Sequence, residues 1–173
     1  MTIAAATRRV RVLLTSTHSD AHTWNLIYLQ LFCEELGHEV INLGACVPAE
    51  LLLSRWRRHD PDVVVVSSVN GHGYFDGLGI AAAVRRQPDL CRTPMVIGGR
   101  LSTAPAQEST GGIGAARRQR LRDAGFDLVL DDGDTAKLAA FLGSAACLPS
   151  VAAAARAHAT AGLGGTALSE EGR

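Results

Sequence analysis

Four consecutive valines, Val63 to Val66, sit between Asp62 and the pair Ser67-Ser68. β-Branched side chains pointing to both faces of an extended segment leave no face for water. The run therefore predicts a central parallel strand, Asp62 to Ser67, with helices over both sides. A parallel neighbour is reached only through a crossover long enough to hold a helix, and such crossovers are right-handed. The rest of the chain must then read as strand and helix in alternation.

Val10 to Leu14 predicts a first strand, followed by a polar loop from Thr15 to His22. A helix is expected from about Thr23 to Leu36, because Ile27, Tyr28, Leu31 and Phe32 recur at three- and four-residue spacing and Gly37 supplies a cap. Glu39 to Leu43 reads as the second strand. Pro48, tolerated in a first turn, opens a helix through Leu51, Leu52 and Trp56 to about Arg58. Beyond the valines, Asn70-Gly71-His72-Gly73 precedes a third helix, about Phe75 to Arg86, and Pro94 to Ile97 is a fourth strand ending at Gly98-Gly99. Leu101 to Gly114 has no period and reads as a long surface loop. A helix from about Ile113 to Ala124, the strand Phe126 to Leu130 and a helix capped by Asp134 and running to about Leu142 complete the pattern. The expected fold is α/β: a doubly wound five-stranded parallel sheet of flavodoxin-like or Rossmann-like form.

Composition bounds the rest. The chain has 173 residues, 47% of them hydrophobic, enough for one domain with a real core. The division expected is a domain over 1–148 and a flexible Ala-, Gly- and Ser-rich tail over 149–173. Basic and acidic residues number 17 each, so the formal charge is 17 − 17 = 0 and no global field draws the chain to nucleic acid or an anionic membrane. No stretch approaches the roughly 18 apolar residues of a spanning helix. The four cysteines, Cys33, Cys46, Cys91 and Cys147, form no CxxC and no disulfide framework. With no secretory pattern at the start of the sequence, the expectation is a soluble cytoplasmic protein without nucleic-acid or membrane partners.

Open parallel sheets bind ligands beyond the carboxyl ends of their strands, where the strand order reverses. Three segments of unusual composition reach that rim: the first loop with Asp20 and His22, the third with Ser67 to Gly73, and the fourth with Gly98-Gly99-Arg100. If the first and third strands are adjacent, these loops make one crevice. Asp20 and His22 fit a metal-ligating imidazole oriented by a carboxylate, or a loop histidine near a helix-capping aspartate. The first loop carries neither G-x-G-x-x-G nor G-x-x-x-x-G-K-S/T, which disfavours the common dinucleotide and phosphate readings.

From about Val10 to Ala145 the chain resembles the cobalamin-binding domain shared by adenosylcobalamin-dependent mutases and cobalamin-dependent methyltransferases, most closely the small subunits of glutamate (methylaspartate) mutase. The family pattern is D-x-H-x-x-G, S-x-L and a glycine pair. Here these are Asp20-Ala21-His22-Thr23-Trp24-Asn25, Ser67-Ser68-Val69 and Gly98-Gly99, and the stretches GHEVINLGACVPAELL and SSVNGHG are also family-like. The resemblance implies that His22 is the lower ligand of the cobalt of adenosylcobalamin and that Asp20 orients it. It places Ser67 on the displaced nucleotide tail, with Asn25, Val69, Gly98 and Gly99 along the tail's slot and Ser16, Thr17 and Gly71 as further neighbours. Asn25 in place of glycine and Val69 in place of leucine depart from the pattern. The implied activity is the interconversion of glutamate and 3-methylaspartate, with substrate handled by a separate large barrel-type subunit in a heterotetramer. Other uses of such a domain are a carrier for methyl transfer or another radical enzyme, and a non-enzymatic cobalamin-binding module.

Overall fold

The valine run is the middle strand of the sheet. The computed structural model describes residues 8–103, 112–130 and 133–147. Its strands are β1 (Arg11–Ser16), β2 (Glu39–Asn42), β3 (Val63–Ser68), β4 (Met95–Gly99) and β5 (Leu128–Leu130), all parallel, in the order β2-β1-β3-β4-β5. Helices α1 (Trp24–Glu35), α2 (Ala49–His59), α3 (Gly73–Arg85), α4 (Gly112–Ala124) and α5 (Thr135–Cys147) connect or follow them. The expected tail over 149–173 and the middle of the expected surface loop lie outside the described residues. Among the described residues no helix is long and apolar enough to cross a membrane.

Alternation along β3 divides the core in two. Val64 and Val66 pack with Trp56 of α2, Ile80 of α3 and Leu121 of α4. Val63 and Val65 pack on the opposite face with Leu26 and Cys33 of α1 and Leu138 and Leu142 of α5. All four valines are buried, and each burial contributes about 1.5–3 kcal/mol relative to exposure. At the start of α5, Asp134 Oδ1 accepts the Lys137 N–H at 3.2 Å, the expected cap.

Three expectations need correction. The first strand does not stop at Leu14: Thr15 pairs with Val66 and Ser16 with Ser67. Polar residues continue the strand because their hydroxyls find partners inside the protein, Thr15 on the Ser16 carbonyl and Ser16 on the loop that follows. The apolar stripe that identified α1 faces outward, with Ile27 56% and Leu31 60% exposed, while Asn25, Leu26 and Cys33 are buried. This helix is apolar on nearly every side, so spacing alone does not choose the inward face. Leu101 is buried rather than on a surface loop, and its carbonyl accepts the Tyr74 N–H at the start of α3.

At the opposite end of the sheet from the expected site, His38 is buried and its Nδ1 accepts the Val10 N–H at 3.5 Å. Burial lowers its pKa below the ordinary 6.5. A depressed histidine contributes stability that is present above the unfolded value and lost as pH falls through it toward the folded value. Urea unfolding at pH 7.5 and 5.5 is therefore expected to give a lower midpoint at pH 5.5. The difference should shrink in His38→Asn, whose Oδ1 replaces the acceptor without titrating; an unchanged difference would assign the slope to other groups.

Candidate functional site

β1 connects outward to β2 on one side, and β3 connects to β4 and β5 on the other, so the loops leaving β1 and β3 diverge above adjacent strands. The condition for a single crevice is met. Ser16 and Thr17, expected among the ligand contacts, are consumed in bracing the loop. Ser16 Oγ lies 3.0 Å from the Asp20 carbonyl and accepts the Cys46 N–H at 3.0 Å. Thr17 Oγ1 donates to Ser68 Oγ at 3.4 Å.

That bracing buries the Asp20 side chain completely under converging donors. Oδ1 accepts the backbone N–H of His22 at 3.0 Å and stands 2.6 Å from His22 Nδ1, while Oδ2 accepts the Val69 N–H at 2.5 Å. Burial pushes the carboxyl pKa up, but the bonds from Val69 and from the His22 backbone and ring outweigh it and hold the pKa below the ordinary 3.8. A carboxylate acceptor requires the proton on Nδ1. The lone pair of Nε2, on a half-exposed ring with no hydrogen bond at that atom among the described residues, is then left for an electrophile. No three His, Cys, Asp or Glu side chains gather as a metal cage among the described residues.

Beside the pair lies a cavity of about 260 Å³. Asn25, Tyr28 and Leu29 of α1 form one wall and Thr135 and Leu138 of α5 the other, with Val65, Ser67, Val96 and Gly98 of the strands between them. Val69 links the two features: it lines the cavity, and its N–H binds Asp20. Gly99 also lines the cavity. With φ at 110°, a Cβ there would stand 2.3 Å from the Ser68 carbonyl oxygen, so only glycine lets β4 pass this close to β3. Gly71 is not among the lining residues: its φ is 88° and a Cβ would meet Thr103 at 2.5 Å, so it serves the packing of the neighbouring loop.

Asn25, Ser67, Val69, Gly98 and Gly99 are therefore brought to one groove, with the Asp20–His22 pair adjoining it. Sequence reasoning missed Trp24, Tyr28 and the start of α5 at Gly133 to Thr135. The same rule that selected the first, third and fourth loops points equally to the loop after β5. The lining of the groove is mainly apolar, with Asn25 Oδ1 buried without a partner and Asn25 Nδ2 donating to Ser67 Oγ at 2.6 Å.

A family model described as the B12 binding domain matches residues 10–141. The chain belongs to the B12-binding domain family. It is homologous at modest identity to glutamate mutase sigma subunits. That of Halobacterium salinarum is 31% identical over 118 residues, which are 68% of this chain and 74% of the relative. Among solved structures, this B12-binding domain is similar to a cobalamin-binding protein from Desulfitobacterium hafniense, with a TM-score of 0.59 at 18% identity over 80% of this chain. It is also similar to the methanol:cobalamin methyltransferase complex of Methanosarcina barkeri, with a TM-score of 0.60 at 15% identity over 82% of this chain. At those identities the structural likeness establishes the fold. The chain spans 59% and 49% of the chains in those two structures.

Proposed function

We propose that this B12-binding domain holds adenosylcobalamin through His22 and presents it to a separate catalytic subunit that interconverts glutamate and 3-methylaspartate. The observation that carries the reading is the Asp20–His22 contact of 2.6 Å beside a groove between α1 and α5. In this reading His22 Nε2 would hold the cobalt of the cofactor, and Asp20 fixes the tautomer that exposes it. The groove takes the displaced nucleotide tail along Asn25, Ser67, Val69, Gly98 and Gly99. When bound, the cofactor supplies a cobalt–carbon bond whose cleavage provides the radical chemistry. The chain's own residues would place the cofactor, hold it through His22 and sequester its tail. In this reading the substrate chamber belongs to a partner, a large barrel-type subunit in a heterotetramer. Homology to sigma subunits supports that division of labour. Free Cys33, Cys46 and Cys91 fit work in the reducing cytoplasm.

The test has two stages. Calorimetric titration should show the chain binding cobalamin at least tenfold more tightly than cobinamide, which lacks the nucleotide tail; equal affinities would remove the groove from the reading. The chain is then combined with the large mutase-type subunit encoded beside its gene and adenosylcobalamin, and isomerisation is followed by chiral chromatography. Turnover should require both proteins. Turnover by this chain alone, or methyl transfer instead of isomerisation, would overturn the mutase assignment.

A further inference from the structure

The loop that carries Asp20 and His22 is fastened to the loop after β3 at a second place besides the Asp20–Val69 bond. Thr17 Oγ1 donates to Ser68 Oγ at 3.4 Å, and Ser68 Oγ donates to Asn70 Oδ1 at 3.1 Å. Asn70 Nδ2 then donates to Ser19 Oγ at 2.8 Å, and Ser19 Oγ donates to Asp76 Oδ2 at 2.5 Å. Every bond points the same way, and the last acceptor is a carboxylate in the first turn of α3. The Asn70 amide is held in this orientation at both ends, because Oδ1 also accepts the His72 N–H at 2.9 Å and Nδ2 also donates to the Ser19 carbonyl at 2.9 Å. The Asp76 side chain is only 11% exposed, and its other oxygen stands 3.8 Å from His18 Nδ1.

Hydroxyls that accept one bond and donate the next polarise one another, and a carboxylate at the end strengthens the series. This series crosses between the two loops twice, from Thr17 to Ser68 and from Asn70 back to Ser19, and so ties the residue before Asp20 to α3. His22 depends on such a tie, since its ring is half-exposed and is held through Asp20. A ligand carried on a loop is available only in the fraction of molecules whose loop holds it in place, and the apparent affinity falls with that fraction. We infer that Asp76 is a positioning residue for His22, acting through Ser19 to hold the loop in its binding arrangement before the cofactor arrives. An acidic residue in a first turn also favours its own helix, and the bond from Ser19 is what separates the two roles. The inference rests on the cofactor reading proposed above and adds to it a residue outside the lining of the groove.

The experiment uses the full chain and a pair of readouts. In the free protein, the His22 and Val69 amides that donate to Asp20 should exchange hydrogen about tenfold faster in Asp76→Ala and in Ser19→Ala than in the wild type. The other readout is titration with cob(II)inamide, which has no base of its own, so nitrogen splitting in its electron paramagnetic resonance spectrum comes from the protein. The concentration giving half the full splitting should rise about tenfold in either alanine variant, and by little more in the double variant. Asp76→Asn keeps an oxygen for the Ser19 O–H and should stay within about threefold of the wild type. Circular dichroism checks folding, and if Asp76→Ala does not fold, Ser19→Ala and Asp76→Asn decide. A Ser19→Ala chain that matches the wild type in either readout, losses that multiply in the double variant, or an Asp76→Asn chain that is not rescued would assign Asp76 to its helix alone and overturn the inference while leaving the cofactor reading intact. Absence of protein-nitrogen splitting in the wild type would overturn the cofactor reading and the inference with it.

Discussion

His22→Ala is expected to abolish coupling between protein nitrogen and the cobalt of a bound cob(II)alamin while leaving the fold in place. The second half follows from the local geometry. Asp20 receives the backbone N–H groups of residue 22 and Val69, and both persist in the alanine variant. Only the contact from Nδ1 is lost, and the imidazole that makes it is half-exposed. The change in unfolding free energy should therefore be on the order of 1 kcal/mol, measurable by urea titration. The spectroscopic change should be complete. Electron paramagnetic resonance of the reconstituted protein, with isotopic nitrogen placed either in the protein or in the cofactor, should show superhyperfine splitting that follows the protein label. That splitting should vanish in His22→Ala. Splitting that follows the cofactor's own nitrogen in the wild type would show the tail base still on cobalt and would sink the assignment of His22.

The sequence showed the order of elements because parallel sheets demand it. A four-valine strand needs cover on both sides, and each crossover carries its own apolar period and terminating glycine or proline. The ends of elements and the faces of helices were less legible. Ser16 and Thr17 look like loop residues by composition, yet they are buried because their hydroxyls are satisfied by Asp20, Cys46 and Ser68, partners that only the folded chain brings near. Helix α1 hid its inward face because Trp24, Ile27, Tyr28 and Leu31 are as apolar as the residues that enter the core. At the candidate site, the motif residues Asn25, Ser67, Val69, Gly98 and Gly99 come to one groove, whereas Ser16, Thr17 and Gly71, selected by loop position, go to bracing and packing. The second wall of the groove, at the start of α5, stayed hidden because Thr135 and Leu138 have no unusual chemistry and reach the site only through the order of the strands.

Asp20→Asn should weaken both the fold and the hold on cobalamin, and the reason is a mismatch that the amide cannot avoid. Three donors converge on the buried carboxylate: the His22 N–H and Nδ1 on one oxygen, and the Val69 N–H on the other. Asparagine offers one oxygen and one NH2 group. If the oxygen faces His22, the amide's N–H bonds point at the Val69 N–H, donor against donor in a buried site. If the amide is turned over, Val69 is satisfied but the NH2 group faces His22, which favours a proton on Nε2 and removes the lone pair that would bind cobalt. The expected cost is about 1–3 kcal/mol of unfolding free energy and about 10- to 100-fold in cobalamin affinity. Where cofactor does bind, the histidine-ligated spectrum should remain, since Asp20 orients the ligand without being one. Acid adds an independent check. A carboxyl held below 3.8 contributes stability that is present above that value and lost as pH falls through the folded pKa, so the wild type should lose stability below about pH 4 more steeply than Asp20→Asn. A variant that loses stability but binds cobalamin with unchanged affinity would show that Asp20 braces the loop without orienting His22.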